Sequence, residues 1–346
     1  MIINKAVETD RKKWDNYALS HPDATPYHLW AWKEAVETAY GHKAHYLIAE
    51  EQGKVRGILP LFQLKLFFLQ NQLVSLPFCD VAGPIADDYL TRDRLLDKAQ
   101  QAAAQYKATT VELRTRLSHQ STIFNNSKVS MLLSLPADPK ELWNSFRSKL
   151  RSQILKAEKN GLMFRLGEGD EDIKSFYQVF SQNMLELGSP VHSKYFFASI
   201  LKSYGGSCRM GLVFLDEKPI GCGIILFCGT HTAIPWASTI RKYNKLGPNM
   251  LLYWNLLQFS IKAGANLFDF GRSTPNSGTY RFKAQWGAQP NPLHWDKLPV
   301  DINQYASPAS LKQHGVNRQL AANLWSKLPL SIANLIGPKL RQYISL

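Results

Sequence analysis

The sequence predicts a mixed α/β (α+β) fold, with central mixed sheets flanked by helices, built twice in tandem. Three observations carry this. The chain has 346 residues, beyond the size at which one hydrophobic core keeps growing, so two domains are expected. Its hydrophobic fraction is 45% and its charged fraction 20%, the balance of a folded globular chain. The element order helix, two-strand meander, loop, helix, strand recurs after Asp138 at larger size. Such recurrence marks two copies of one unit.

In chain order, Pro26 to Tyr40 reads as a helix: Trp30, Ala31, Ala35 and Thr38 lie on helical spacing and Gly41 stops it. Strands are expected at Ala44–Glu50 and Val55–Leu64, turning at Gln52-Gly53. An apolar run, LKLFFLQNQLVSLPF, ends at Phe78, and the Gly/Pro loop CDVAGPIADD follows with Asp80 near its start. A helix from Leu90 to Tyr106 and strands at Thr109–Leu113 and Val129–Leu135 complete the first half. One long basic amphipathic helix is expected over Lys140–Asn160, stopped by Gly161. Strand Leu162–Leu166, helices Asp170–Leu187 and Ser193–Tyr204, and a meander follow. The meander comprises Cys208–Leu215, Ile220–Cys228 and His231–Ala237. After the loop STIRKYNKLGPN come helix Met250–Lys262 and strand Asn266–Phe270. The expected domains are therefore residues 1–136 and 137–300, the second carrying the main cleft, with a basic amphipathic tail over 301–346.

A net charge of +14 favours an anionic partner. The basic residues are spread, and no nucleic-acid motif accompanies them. Nine tryptophans suit a large cleft or interface as well as a large core. Cys79, Cys208, Cys222 and Cys228 show neither CxxC pairing nor metal-ligand spacing, so buried reduced thiols in a cytoplasmic protein and no metal are expected. The N-terminus lacks the apolar core of a signal peptide, and no run is long enough to cross a bilayer. The tail LWSKLPLSIANLIGPKLRQYISL alternates apolar stripes with cations. Such a segment either lies at a membrane interface or packs on its own protein.

The most suggestive stretch is FDFGRSTPNSGTYRFKAQWG, Phe268 to Gly287. An acid at a strand end, a glycine break and then a cation suit a strand delivering polar groups to a cleft. Asp269 and Arg272 either take part in chemistry or form a structural pair. Lys283, framed by Phe282 and Trp286, either faces an anion or a developing oxyanion, or snorkels from a half-buried helix. Upstream, Arg241, Lys245, Gly247 and Asn249 lie where a helix N-terminus flanked by cations would hold an anionic donor, or form an ordinary basic loop. His192 suits a general base or a helix cap. Trp236, Tyr280 and Phe282 are candidate substrate-binding walls. Asp80 suits a hydroxylated or cationic substrate group, or a loop cap. No Ser/His/Asp order, Walker loop, dinucleotide fingerprint or metal cluster is present, which argues against hydrolase, NTPase, dehydrogenase and metalloenzyme functions.

Six blocks, in this order, resemble the FemAB-like proteins of exosortase/PEP-CTERM exopolysaccharide loci. They are PYHLWAWKEAVETAYGHKAHYLIAE, LVSLPFCDVAGPIADD, FRSKLRSQILKAEKNGL, GSPVHSKYFF, PWASTIRKYNKLGPNMLLYW and FDFGRSTPNSGTYRFKAQWG. These proteins belong to the wider Fem and GNAT-type acyltransferase superfamily. The resemblance implies two tandem GNAT-like (acyl-CoA N-acyltransferase) domains and an acyl or aminoacyl transfer to a cell-envelope or exopolysaccharide precursor. It implies acyl-CoA or aminoacyl-tRNA as donor and no permanently bound cofactor. It implies a glycan or lipid-linked acceptor at the inner membrane face. A Phe-Lys pair near the end of the second Fem domain matches Phe282-Lys283 here. An aminoacyl-tRNA-dependent peptidoglycan ligase and a non-catalytic assembly module are the alternatives.

Overall fold

The computed structural model describes residues 1–65, 71–116, 128–300 and 318–345. Part of the apolar run before Phe78, at 66–70, and the tail from 301 to 317 lie outside them. In chain order the elements begin with β1 (Ile2–Lys5), α1 (Arg11–Ser20), α2 (Trp30–Tyr40), β2 (Lys43–Ala44), β3 (Leu47–Glu51) and β4 (Lys54–Leu59). Next come β5 (Phe62–Lys65), β6 (Asn71–Val74), β7 (Ile85–Ala86), α3 (Tyr89–Gln105), β8 (Thr110–Thr115) and β9 (Val129–Ser134). Then follow α4 (Pro139–Ser145), α5 (Ser148–Lys159), β10 (Leu162–Gly167), α6 (Gly169–Glu186), α7 (Lys194–Tyr204) and β11 (Cys208–Leu215). The remainder is β12 (Lys218–Cys228), β13 (His231–Thr239), α8 (Pro248–Lys262), β14 (Leu267–Ser273), α9 (Gly278–Ala284), β15 (Gln289–Pro292), β16 (His294–Pro299), α10 (Arg318–Trp325) and α11 (Leu330–Arg341).

The chain forms two compact units. The first takes Met1–Asn126, Leu293–Ala321 and Leu340–Leu346; the second takes Ser127–Pro292 and Ala322–Lys339. Strand β9, which precedes the boundary expected at Pro136, is laddered in the second unit's sheet. The expected tail is likewise shared between the units. Strand β16, inside the expected second domain, pairs instead with β8 in the first unit, a long-range pairing that leaves no local trace in a sequence.

In the first unit one sheet runs β1-β3-β4-β7 and another β16-β8-β6-β5-β2. The strand expected over Val55–Leu64 divides into β4 and β5 around Pro60, whose missing N–H cannot serve a continuous ladder. Helix α3 packs on β3, β4 and β8 through Thr91, Leu95, Ala99 and Ala103. The spacing of four puts them on one face, and the two alanines let the helix sit close. Asp88 begins this helix by accepting the Thr91 N–H at 2.7 Å, an N-cap. Trp14, Trp30 and Trp32 are fully buried, so here the tryptophans serve a core rather than a cleft.

The loop after β6 is held through its carbonyls. The Arg114 guanidinium donates to Leu76 O at 3.1 Å and Cys79 O at 2.8 Å. Trp295 Nε1 donates to Asp80 O at 3.1 Å, and the Thr25 hydroxyl donates to Val81 O at 3.1 Å. His28 Nε2 donates to Gly83 O at 2.9 Å while its Nδ1 accepts the Thr25 N–H at 3.0 Å. That pattern fixes the neutral Nε2–H tautomer. Burial pushes the His28 imidazole down to about 4. A depressed folded pKa gives stability that is complete above the unfolded value near 6.5 and is lost as pH falls toward 4. The difference corresponds to about 3 kcal/mol. His45, also pushed to about 4 by burial, adds to the same window. Urea midpoints are therefore expected to fall steeply between pH 6.5 and 4, and less steeply in His28→Gln. Identical slopes for the two proteins would contradict this assignment.

The second unit is a seven-stranded mixed sheet, β10-β11-β12-β13-β14-β9-β15. Helices α5 and α8 contact each other, and α8 packs on β10 to β13; α6 packs on β11 to β13. Leu256 of α8 lies so close to the sheet that a Cβ on Gly211 would come 3.0 Å from it. The long helix expected over Lys140–Asn160 is instead two, α4 and α5, with Phe146 and Arg147 extended between them. Phe146 turns into the core, edge-on to Trp254 at 5.6 Å and Trp286 at 5.5 Å. Burying that ring outweighs helix continuity. Among the described residues each unit has one parallel strand pair, β6 with β8 and β13 with β14, with a helix lying between its strands in sequence. The duplicated order read from the sequence thus has a structural counterpart.

Candidate active site

Strands β13 and β14 start side by side and then part. They pair in parallel only over His231–Ala233 with Leu267–Asp269, while β13 runs on to Thr239 and β14 to Ser273. Among the described residues no other strand is laddered to the edge of β13 beyond Ala233. The cause of the split is local. The register of β14 on β9 slips between Asp269 and Arg272, a bulge that carries the strand away from β13. Gly271 adopts φ 75° there, a left-handed conformation that costs a side-chain-bearing residue 1–2 kcal/mol or so.

One buried network fixes the bulge. Asp269 Oδ1 accepts the Ser130 hydroxyl at 2.6 Å and the Gly271 N–H at 2.7 Å. Lys283 Nζ donates to Gly271 O at 3.0 Å and Arg272 O at 2.9 Å. Asp269, Ser130 and Lys283 are all buried. Lys283 therefore does not snorkel: its ammonium is drawn in to the bulge carbonyls. The Asp269 oxygen that binds the bulge already accepts two hydrogen bonds, the pattern of a holding residue.

Lys283 is delivered by α9, whose first turn is capped by Ser277 Oγ accepting the Tyr280 N–H at 3.2 Å. The aromatic run expected here is that helix's packing face. Phe282 meets Tyr253 at 5.1 Å, and Tyr253 stacks on Phe270 at 5.4 Å. Burial pushes the Tyr253 hydroxyl above its usual range, so it stays a neutral phenol. Tyr280 is half-buried on the same short helix.

The loop between β13 and α8 forms a 3-10 turn, Arg241–Leu246, closed by Gly247 at φ 85°. Pro248 opens α8, so Gly247 and Asn249 do lie at a helix N-terminus. Lys245 is exposed. Arg241 is tied to the end of α6: its guanidinium donates to Glu186 O at 2.9 Å and its N–H to the Glu186 carboxylate at 3.0 Å. Lys218 was not singled out from the sequence, yet it joins this cluster. Lys218 and Lys242 stand over Tyr243 at 5.8 and 4.8 Å. Hydrogen bonding from Lys242 holds the Tyr243 hydroxyl below its ordinary value.

His192 and Trp236 go elsewhere. His192 is buried and stacks on Phe196 at 4.6 Å. The cap of α7 is Ser193, whose Oγ accepts the Phe196 N–H at 3.0 Å, so His192 does not cap the helix. Trp236 is 7% exposed and meets Phe196 and Phe197 edge-on at 5.6 and 5.2 Å. Both belong to the aromatic cluster beneath α7. Asp80 lies in the carbonyl-tied loop of the first unit. Ser130 completes the bulge network but comes from β9, and nothing in the pattern VSMLLS distinguishes it.

Residues 144–284 match the acetyltransferase (GNAT) domain family. No curated protein matches the chain. Among solved structures, FemX superposes with TM-score 0.70 at 16% identity, over 88% of this chain and 99% of its own. The L-PGS structure from Bacillus licheniformis gives TM-score 0.56 at 12% identity, over 95% and 100%. A tandem GNAT protein from the clavulanic acid biosynthesis pathway gives 0.54 at 13% identity, over 86% and 98%. These likenesses show the fold, two GNAT-like domains in tandem. The residues matched to that domain family span the split strands, the basic loop and the bulge.

Proposed function

We propose that the protein is an acyltransferase using acyl-CoA as donor, with an amine or hydroxyl of a cell-envelope or exopolysaccharide precursor as acceptor. The observation that carries this reading is the parting of β13 from β14. A strand edge that β14 leaves beyond Ala233 suits an extended, amide-containing chain such as the pantetheine arm of coenzyme A. Lys218 and Lys245 and the start of α8 suit its phosphates. The six sequence blocks support the acceptor class.

In this reading the acceptor attacks the donor carbonyl. The C–S bond breaks as the tetrahedral oxyanion collapses, and the proton lost by the acceptor leaves with the thiolate. Positioning and a fixed positive charge suffice, without a covalent enzyme intermediate. Lys283 supplies that charge at the bulge, Arg272 flanks it, and Asp269 is a positioning residue. Asp80 is the first unit's candidate for recognising a hydroxylated or cationic group.

Calorimetry with acetyl-CoA and longer acyl-CoAs tests the donor. Saturable binding is expected, weakened about tenfold in Lys218→Gln/Lys245→Gln through loss of two charge-assisted contacts. No binding to any acyl-CoA, with copurifying RNA whose digestion abolishes acyl transfer, would move the donor to aminoacyl-tRNA.

A further inference from the structure

Helix α11 is turned inside out. Its inward face is made of small residues: Ala333 is 3% exposed, and a Cβ on Gly337 would stand 3.1 Å from Val191 N. Its outward face is made of large ones: Ile332 is 40%, Leu335 68% and Ile336 40% exposed. These lie at i, i+3 and i+4, and the exposed Lys339 extends the stripe at i+7. Leu324 of α10 is 61% exposed, and the exposed Lys327 follows it. Leu187, 58% exposed, precedes Gly188, whose backbone lies against Ala322 of α10. A helix placed only to cover its own protein would bury the leucine and isoleucines and expose the small residues.

Charge identifies the occupant. The second unit's share of the tail, Ala322–Lys339, contains no Asp or Glu, while Lys327 and Lys339 are cations. We propose that this apolar face with its cationic rim docks the second unit on an anionic lipid bilayer, α11 lying in the interface plane. Long lysine stems let the ammonium groups reach lipid phosphates while the isoleucines and leucines enter the acyl boundary. A second copy packed symmetrically would set cations against cations. With 12 residues α11 spans about 18 Å, and no helix among the described residues is long and apolar enough to cross a membrane.

Co-sedimentation of the full chain with phosphatidylcholine vesicles, with and without phosphatidylglycerol, tests the proposal. Binding is expected only with phosphatidylglycerol, and weaker at high salt. Lys327→Gln/Lys339→Gln is expected to lower partitioning ~30-fold. Ile332→Ser/Leu335→Ser/Ile336→Ser changes exposed side chains, so its circular dichroism should match wild type while vesicle binding is lost. Wild type staying in solution with phosphatidylglycerol vesicles, or the triple variant binding as wild type does, overturns the proposal. So does a wild-type dimer in light scattering that the triple variant abolishes, since that assigns the face to a second copy.

Discussion

Lys283→Met is expected to lower turnover by about 100- to 1000-fold, the effect of removing one preorganised charge from an oxyanion site. Methionine keeps the length and apolar stem of the side chain and removes only the ammonium. The carbonyls of Gly271 and Arg272 then lose the donor that reaches them at 3.0 and 2.9 Å. Leaving buried carbonyls without a donor costs about 1–3 kcal/mol each, so the melting temperature should fall as well. The two effects separate in measurement. Donor affinity by calorimetry should change less than turnover, because the basic loop and the β13 edge are untouched. Wild-type turnover in a folded Lys283→Met protein would remove the lysine from the chemistry and leave it a fastener of the bulge.

The same network bears on the role of Asp269, and His192 lies outside it. The Asp269 oxygen that receives the Ser130 hydroxyl and the Gly271 N–H is occupied in fastening the bulge. Its work is to set where β14 leaves β13. His192, stacked on Phe196 beneath α7, belongs to a different cluster from the bulge.

How much of this was legible depends on whether the cause is local. The bounds expected for Cys208–Leu215 are those observed, because a single apolar strand ends at a turn whose Asp216 takes φ 52°. The stop of α2 at Gly41, φ 67°, was legible for the same reason. The stretch from Phe268 to Gly287 could be singled out from its acid, glycine and cation. Its partners could not, because Ser130 arrives from a strand 139 residues away. The break at Phe146 was hidden because helix periodicity runs through it, and the rings of Trp254 and Trp286 that draw it in lie far along the chain. The sequence leaves Lys283 either facing an anion or snorkelling, because a lysine in sequence carries no sign of the carbonyls that will receive it.

Arg114→Met is expected to destabilise the first unit by about 3–5 kcal/mol, the cost of removing one partner from a buried ion pair. The guanidinium is 1% exposed. It donates to Glu112 Oε1 at 2.9 and 2.7 Å, to the carbonyls of Leu76 and Cys79 and to the Ser345 hydroxyl. It also stands over the Trp295 ring at 5.1 Å. Methionine fills much of that volume and makes none of these bonds, so a carboxylate and two carbonyls lose their donor. Leu76 and Phe78 sit at φ 72° and 67°, left-handed conformations that persist only while surrounding bonds enforce them. Phe78 N–H donates to Ser345 O at 2.9 Å, so the C-terminal segment should loosen together with the loop. Lys should not rescue the site, because a point charge cannot reproduce the planar fork. Urea denaturation measures the loss. Limited proteolysis should show new cleavage between Leu76 and Asp80. A loss below about 1 kcal/mol with an uncut loop would mean that the guanidinium is replaceable. The loop that presents Asp80 would then be rigid on the strength of Trp295, Thr25 and His28 alone.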